Sequence, residues 1–271
     1  MILSANQTKI YYKFTRNKYR KMKLYLILLL ALIVSCNPKS DLVWEENFDG
    51  DSLNKEIWKF ELGDGCPDLC GWGNNERQIY TSSNHKVENG YLIITAKKED
   101  SLYTSTRIIT KGKKEFQYGR MEVRAKLPLG KGLWPAFWML GSNISDVGWP
   151  LCGEIDILEY VGKEPNTIFT SLHTQDSHGN TINSKKGVIE GIEEGFHTYV
   201  LDWNKEKMDF YIDDVLFYTF SPQERSPEIW PFDQPFYFIV NLAVGGNFGG
   251  PEVDDSIFPQ EFVVDYIKVY Q

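Results

Sequence analysis

Histidine and cysteine are scarce in this 271-residue chain, four of each, and they are too scattered to supply ligand spacing for zinc. No apolar run reaches the roughly 18 residues that a membrane helix needs. No stretch of twelve residues carries a helical stripe of 3.6-residue period; at most Pro222 to Trp230 holds a short helical turn. Internal repeats and low-complexity linkers are absent too. Gly245-Gly246-Asn247-Phe248-Gly249-Gly250 lacks the lysine and following helix of a phosphate loop, so it reads as a mobile edge loop. Basic residues are short everywhere except at the front. Residues 1–35 hold seven of the 29 and no acidic residue, which leaves 22 against all 37 acidic residues from Cys36 onward, a net of −15. Such a body repels phosphate backbones, and nucleic acid is excluded as its main partner. At 42% hydrophobic and 24% charged, the composition is that of a globular domain.

The front end reads as an address. Leu24 to Val34 is nearly unbroken apolar sequence behind Lys21 and Lys23, too short to span a bilayer but suited to the core of a secretory signal. Met22 opens a signal of ordinary length, so residues 1–21 are expected to come from an upstream start codon. The run closes on Ile33-Val34-Ser35-Cys36, which resembles a bacterial lipobox. That resemblance implies an exported protein anchored through lipid on Cys36, with residues 36–43 as tether, on the periplasmic face of a membrane or at the cell surface. A plain secretory signal is the alternative. In either case Cys66, Cys70 and Cys152 reach a disulfide-permissive compartment, and Cys66 and Cys70, flanking Pro67-Asp68-Leu69 in a Gly-rich stretch, are expected to pair.

From Trp44 to Gln271 the chain reads as strands of a single all-β domain. Met121, Val123, Ala125 and Leu127 alternate with Glu122, Arg124 and Lys126, the period of a half-buried strand. Tyr91 to Ala96, Phe196 to Trp203, Phe236 to Val244 and Phe262 to Tyr270 are further strands. Met208 to Ile212 and Val215 to Phe220 form a hairpin through Asp213-Asp214. Many short strands with Gly/Pro turns predict an antiparallel β-sandwich.

Gly153-Glu154-Ile155-Asp156-Ile157-Leu158-Glu159-Tyr160 sets three carboxylates in an apolar run. On a helix, the acids would spread around the cylinder. On a strand, Glu154 and Asp156 share a face, and Glu159 joins them if a β-bulge near Ile157-Leu158 inserts one residue. Like charges crowded on one face destabilise a fold, so the pattern points to acids that perturb one another. Glu154 and Glu159 lie roughly 13 Å apart by strand rise, and side chains leaning together approach the ~5–5.5 Å of a retaining glycosidase pair.

This segment resembles the bulged active-site strand of glycoside hydrolase family 16, as in laminarinase-type endo-β-1,3-glucanases. Four more segments are similar, in the family's order: Gly71 to Glu76, Trp134 to Met139, Asn241 to Asn247 and Val264 to Tyr270. The resemblance covers Trp44 to Gln271. It implies a β-jelly roll of the concanavalin A-like kind, with an open cleft on its concave sheet and a retaining endo-mechanism without a catalytic cofactor. By motif position Glu154 is the nucleophile, Glu159 the acid/base and Asp156 the residue between them. Trp134, Trp138 and Trp149 become cleft residues, with Asn75 and Arg107 donating to glucose hydroxyls, Asn247 a further substrate contact and His173 flanking the acid/base. Indole faces suit the C–H faces of a glucan, although each Trp alone fits core packing equally well. Trp58, Trp203 and Trp230 are expected in the core. The family also implies a structural Ca²⁺ opposite the cleft, at Asn47, Gly90 and Asp265; Asn47 stands where many relatives have Glu, and the site survives there if the ligand is a backbone carbonyl.

The expected activity is hydrolysis of laminarin-type β-1,3-glucan by a monomer that meets the membrane only through its lipid. The alternatives are a mixed-linkage β-glucan or galactan hydrolase of the same family, and a non-catalytic glycan-binding lipoprotein, which has no use for three repelling acids. The parity of Cys152 puts it on the strand face of Glu154, with no role in this scheme.

Overall fold

A computed structural model describes residues 40–271; residues 1–35, read above as an export signal, and Cys36 lie outside the described residues. Two sheets stack face to face. One runs Val215–Phe220, Met208–Ile212, His197–Trp203, Gly119–Lys126, Gln260–Tyr270, Tyr91–Glu99, Leu102–Ser105 and Gln78–Tyr80, with Leu42–Glu46 and His85–Glu88 pairing on the side. The other runs Ser184–Val188, Thr167–His173, Glu154–Tyr160, Leu133–Gly141, Phe236–Val244, Arg107–Ile109 and Lys59–Glu61, with Glu115–Phe116 beside Phe236–Val244. Pairing is antiparallel except between Gln78–Tyr80 and Leu102–Ser105, a short parallel pair that alternation alone does not reveal. The fold is the expected jelly-roll sandwich.

Alternation decides which side chains meet between the sheets. Met121, Val123 and Ala125 of the first sheet, and Phe137, Met139, Ile155, Phe238 and Val240 of the second, belong to one buried cluster. Each large apolar side chain so buried contributes about 1.5–3 kcal/mol. Trp58, Trp203 and Trp230 lie in this core, as expected. Asp213 and Asp214 turn the predicted hairpin with φ of 46° and 65°, the backbone of a two-residue turn that matches strand twist. Between Pro222 and Trp230 there is a single turn, Trp230 N–H donating to the Ser226 carbonyl.

The Gly245–Gly250 loop differs from expectation. It winds into a one-turn helix, Gly246–Gly249, tucked against the 74–77 segment. A Cβ on Gly245 would meet the Arg77 side chain at 2.9 Å, and one on Gly246 the Asn74 carbonyl oxygen at 2.8 Å, so the glycines permit close backbone approach. Phe248 then packs edge-on against Trp134 and Phe169.

Candidate active site

The outer face of the second sheet carries the acids. Across the Leu133–Gly141 strand, Trp138 pairs with Asp156, Phe137 with Leu158 and Ala136 with Glu159; Ile157 is the skipped residue. This bulge puts Glu159 on the face of Glu154 and Asp156 while Ile155, Ile157 and Leu158 stay in the core. One row of cross-strand neighbours then reads Glu61, Arg107, Asn241, Ala136, Glu159, Phe169, Lys186 across seven strands. At strand spacing this is about 29 Å of floor. The next row, Ile109, Ile239, Trp138, Asp156, Ser171, Ser184, lies beside it.

Each outer acid has its own indole. Trp149 Nε1–H donates to Glu154 Oε2 at 2.7 Å, and Trp134 Nε1–H donates to Glu159 Oε1 at 3.0 Å. His173, expected beside the acid/base, is the register partner of Glu154. Its Nδ1 accepts from the Gly179 N–H at 3.1 Å, so the neutral ring carries its proton on Nε2, which lies 3.1 Å from Asp156 Oδ2 and 3.8 Å from Glu154 Oε1.

All three acids hold protons to unusually high pH. Burial, then the charge of Asp156, pushes Glu154 up to about 8, against the lowering effect of His173 and the Trp149 N–H. Burial likewise pushes Asp156 up to about 8, opposed by its hydrogen bond with Glu154. Glu159 is raised well above the usual carboxylate range, first by burial and then by Asp156. Glu154 and Asp156 thus hold a proton between them while Glu159 keeps its own, so the cluster can offer one ionised carboxylate and one carboxylic acid. Glu154, Asp156 and His173 each offer a ligand atom within 4.8 Å of the others, the one such group among the described residues. A cation there would compete for the lone pairs of Glu154.

The remaining predicted residues fall into two places. Asn75 and Asn247 meet at the rim, Nδ2–H of Asn75 donating to Asn247 Oδ1 at 2.8 Å. Arg107 is nearly buried, its Nε–H on Glu61 Oε2 at 2.5 Å and its guanidinium 4.5 Å from the Trp72 ring and 4.9 Å from that of Trp138. Trp72 follows the Cys66–Cys70 disulfide, which is present as expected. On the opposite sheet Asp265 pairs with Arg124. Glu46 pairs with Ile267 and Leu92 with Val264, so Asn47 and Gly90 both continue toward the Asp265–Tyr266 bulge. Carbonyl oxygens there suit a hard cation, but the Asp265 carboxylate already has a partner. Cys152 is buried with Leu140, Tyr237 and Ile239, and its thiol is pushed up to about 11 by burial and by Glu154, so it is inert at neutral pH.

Sequence reasoning passed over Asn241, Tyr80, Glu76, Glu61 and Phe169. Asn241 carried a signal: it is a lone amide in a nine-residue strand that is otherwise apolar. Glu61 and Tyr80 lie on three-residue strands, too short for periodicity to speak.

Comparison with known proteins agrees with this geometry. The family model for glycosyl hydrolases family 16 matches residues 73–267. A β-glucanase of Rhodothermus marinus is 38% identical, over 94% of this chain and 96% of its own length. A glucan endo-1,3-β-glucosidase of Cryptopygus antarcticus is also 38% identical, over 89% and 96%. The crystal structure of a laminarinase from Flavobacterium sp. UMI-01 superposes with a TM-score of 0.84 at 70% identity, covering 85% of this chain and all of that one.

Proposed function

The chain belongs to glycosyl hydrolases family 16, and from that premise we propose that it cleaves internal β-1,3-glucosidic bonds of laminarin-type glucans by double displacement with retention. The observation that carries the proposal is the bulged strand with its three buried acids, each outer one held by a separate indole. In the first step a Glu154 carboxylate oxygen bonds to the anomeric carbon. The bond to the glycosidic oxygen breaks, and that oxygen takes the Glu159 proton. In the second step Glu159 takes a proton from water, whose oxygen replaces Glu154 at the same carbon and returns the β configuration. Before the attack the shared proton rests on Asp156, which with His173 orients the ionised Glu154, and the charge of Glu154 returns when water displaces it.

The test is proton NMR of laminarin digestion. The β-anomer is expected first at new reducing ends, with mutarotation following; α-anomer first would refute double displacement, and no cleavage would refute the substrate. The apolar run before Cys36 and the disulfide further along support export of a protein held by lipid on Cys36. Cys36→Ala should then move the protein from the membrane fraction to the soluble fraction.

A further inference from the structure

A line of buried polar groups runs beneath the cleft floor from Trp138 to a carboxylate that takes no part in bond cleavage. Trp138 Nε1–H donates to Asn241 Oδ1 at 2.7 Å; Asn241 Nδ2–H donates to Tyr80 Oη at 3.0 Å; Tyr80 Oη–H donates to Glu76 Oε2 at 3.1 Å. Gln78 Nε2–H adds a second bond to Glu76 Oε2 at 2.6 Å, and Asn74 Nδ2–H one to Oε1 at 3.3 Å. Asn241 and Tyr80 are buried.

The chemistry of the two ends dictates every orientation between them. An indole N–H can only donate, and an ionised carboxylate can only accept. Asn241 must therefore turn its oxygen to Trp138 and its NH₂ to Tyr80, and the single Tyr80 proton must go to Glu76. A group at position 76 that can also donate removes this polarity. Tyr80 can then reverse, Asn241 can flip, and the Trp138 N–H is left facing an NH₂ group. Buried groups denied a partner lose more than a surface hydrogen bond is worth.

We propose that Glu76 is a positioning residue for glucan binding: through Tyr80 and Asn241 it fixes the plane of Trp138 in the cleft floor. Trp138 in turn stacks on Arg107 and neighbours Asp156 in register, so its plane sets one wall of the sugar path. The acids themselves are held by other groups, Trp134, Trp149 and His173. Loss of Glu76 polarity should therefore weaken glucan binding while the proton-transfer machinery stays intact. The kinetic part rests on the β-1,3-glucanase reading; the structural part does not.

The experiment uses Glu76→Gln and Tyr80→Phe. The second breaks the same line at its middle and leaves the Glu76 charge in place, so it carries the test if Glu76→Gln does not fold. The first readout needs no substrate: the Trp138 indole N–H resonance, assigned by its loss in Trp138→Phe, should move in both variants. A resonance unmoved in either one overturns the proposal. The second readout is laminarin hydrolysis, where KM should rise about tenfold, the worth of one lost buried hydrogen bond. The kcat and both limbs of the pH profile should stay within about twofold of the unmodified enzyme. A fall in kcat at unchanged KM, or an unchanged KM, overturns the proposal. If the unmodified enzyme leaves laminarin intact, the substrate reading fails while the resonance still decides the relay.

Discussion

Replacing Glu154 by glutamine should stabilise the fold, and do so only where pH demands it. The carboxyl has an ordinary value of 4.5 and is pushed up to about 8 in the folded chain. Between those limits the folded state binds more protons than the unfolded one, so stability falls as pH rises from 4.5 to 8; it is fully present below that window. At pH 7 the Glu154–Asp156 pair must retain between its two carboxyls a proton that the unfolded chain releases, and replacing Glu154 by glutamine removes that need; holding the proton costs about 3 kcal/mol for 2.5 pH units. The side chain is 17% exposed, and the access of water that this allows reduces the figure to roughly 1–2 kcal/mol. For a domain of this size that is roughly 2–8 °C in melting temperature. Glutamine has nearly the same shape, can still accept from Trp149, and has no proton to lose. Thermal melts of both proteins from pH 4.5 to 8 should show curves that nearly meet at the acid end and diverge steadily, the variant higher. A gap independent of pH would refute the reasoning, because volume and packing do not titrate. Activity should vanish at every pH.

The two indoles give a paired test of role assignment. Trp134→Phe removes a donor from Glu159, raising the acid further and moving the alkaline limb of the kcat/KM profile upward, by about one unit for a charged hydrogen bond. Trp149→Phe removes a donor from Glu154, which must be ionised, and should move the acid limb upward instead; if the limbs exchange, the assigned roles are reversed. Serine at both Cys66 and Cys70 opens a five-residue ring and should lower stability by at most about 2 kcal/mol, read as a melting shift that reductant reproduces in the unmodified protein. Excess Ca²⁺ should raise the melting temperature over EDTA in the unmodified protein and not in Asp265→Asn; equal response in both would place any calcium elsewhere.

Much of the site was legible because its signals are local. Three acids in seven residues, with apolar residues between them, dictate a bulged strand whichever sheet it joins, and the register puts the skipped residue at Ile157. The sandwich was legible from alternation, and the disulfide from spacing. What stayed hidden depends on distance in sequence. Tyr80 meets Asn241 across 161 residues, and Arg107 finds Glu61 on a strand of three. His173 shows the limit: knowing its strand left open which acid it faces, which only the register with Glu154 decides. The glycine loop was misread because its short helix is held by contacts with residues 74–77, which no local pattern contains.

The row from Glu61 to Lys186 has a consequence for how the protein comes into being. One of its seven members enters the sheet out of chain order: the strand bearing Asn241, the last of them in sequence, lies between those of Arg107 and Ala136. The floor is therefore continuous only once residues 236–244 join the Glu61–Arg107 side to the Ala136–Lys186 side. Pairings of such long reach are formed slowly, on the millisecond-to-second scale typical of sandwiches. The strand that makes the substrate floor continuous is thus also the last of its seven to be made, so the whole cleft forms late in folding.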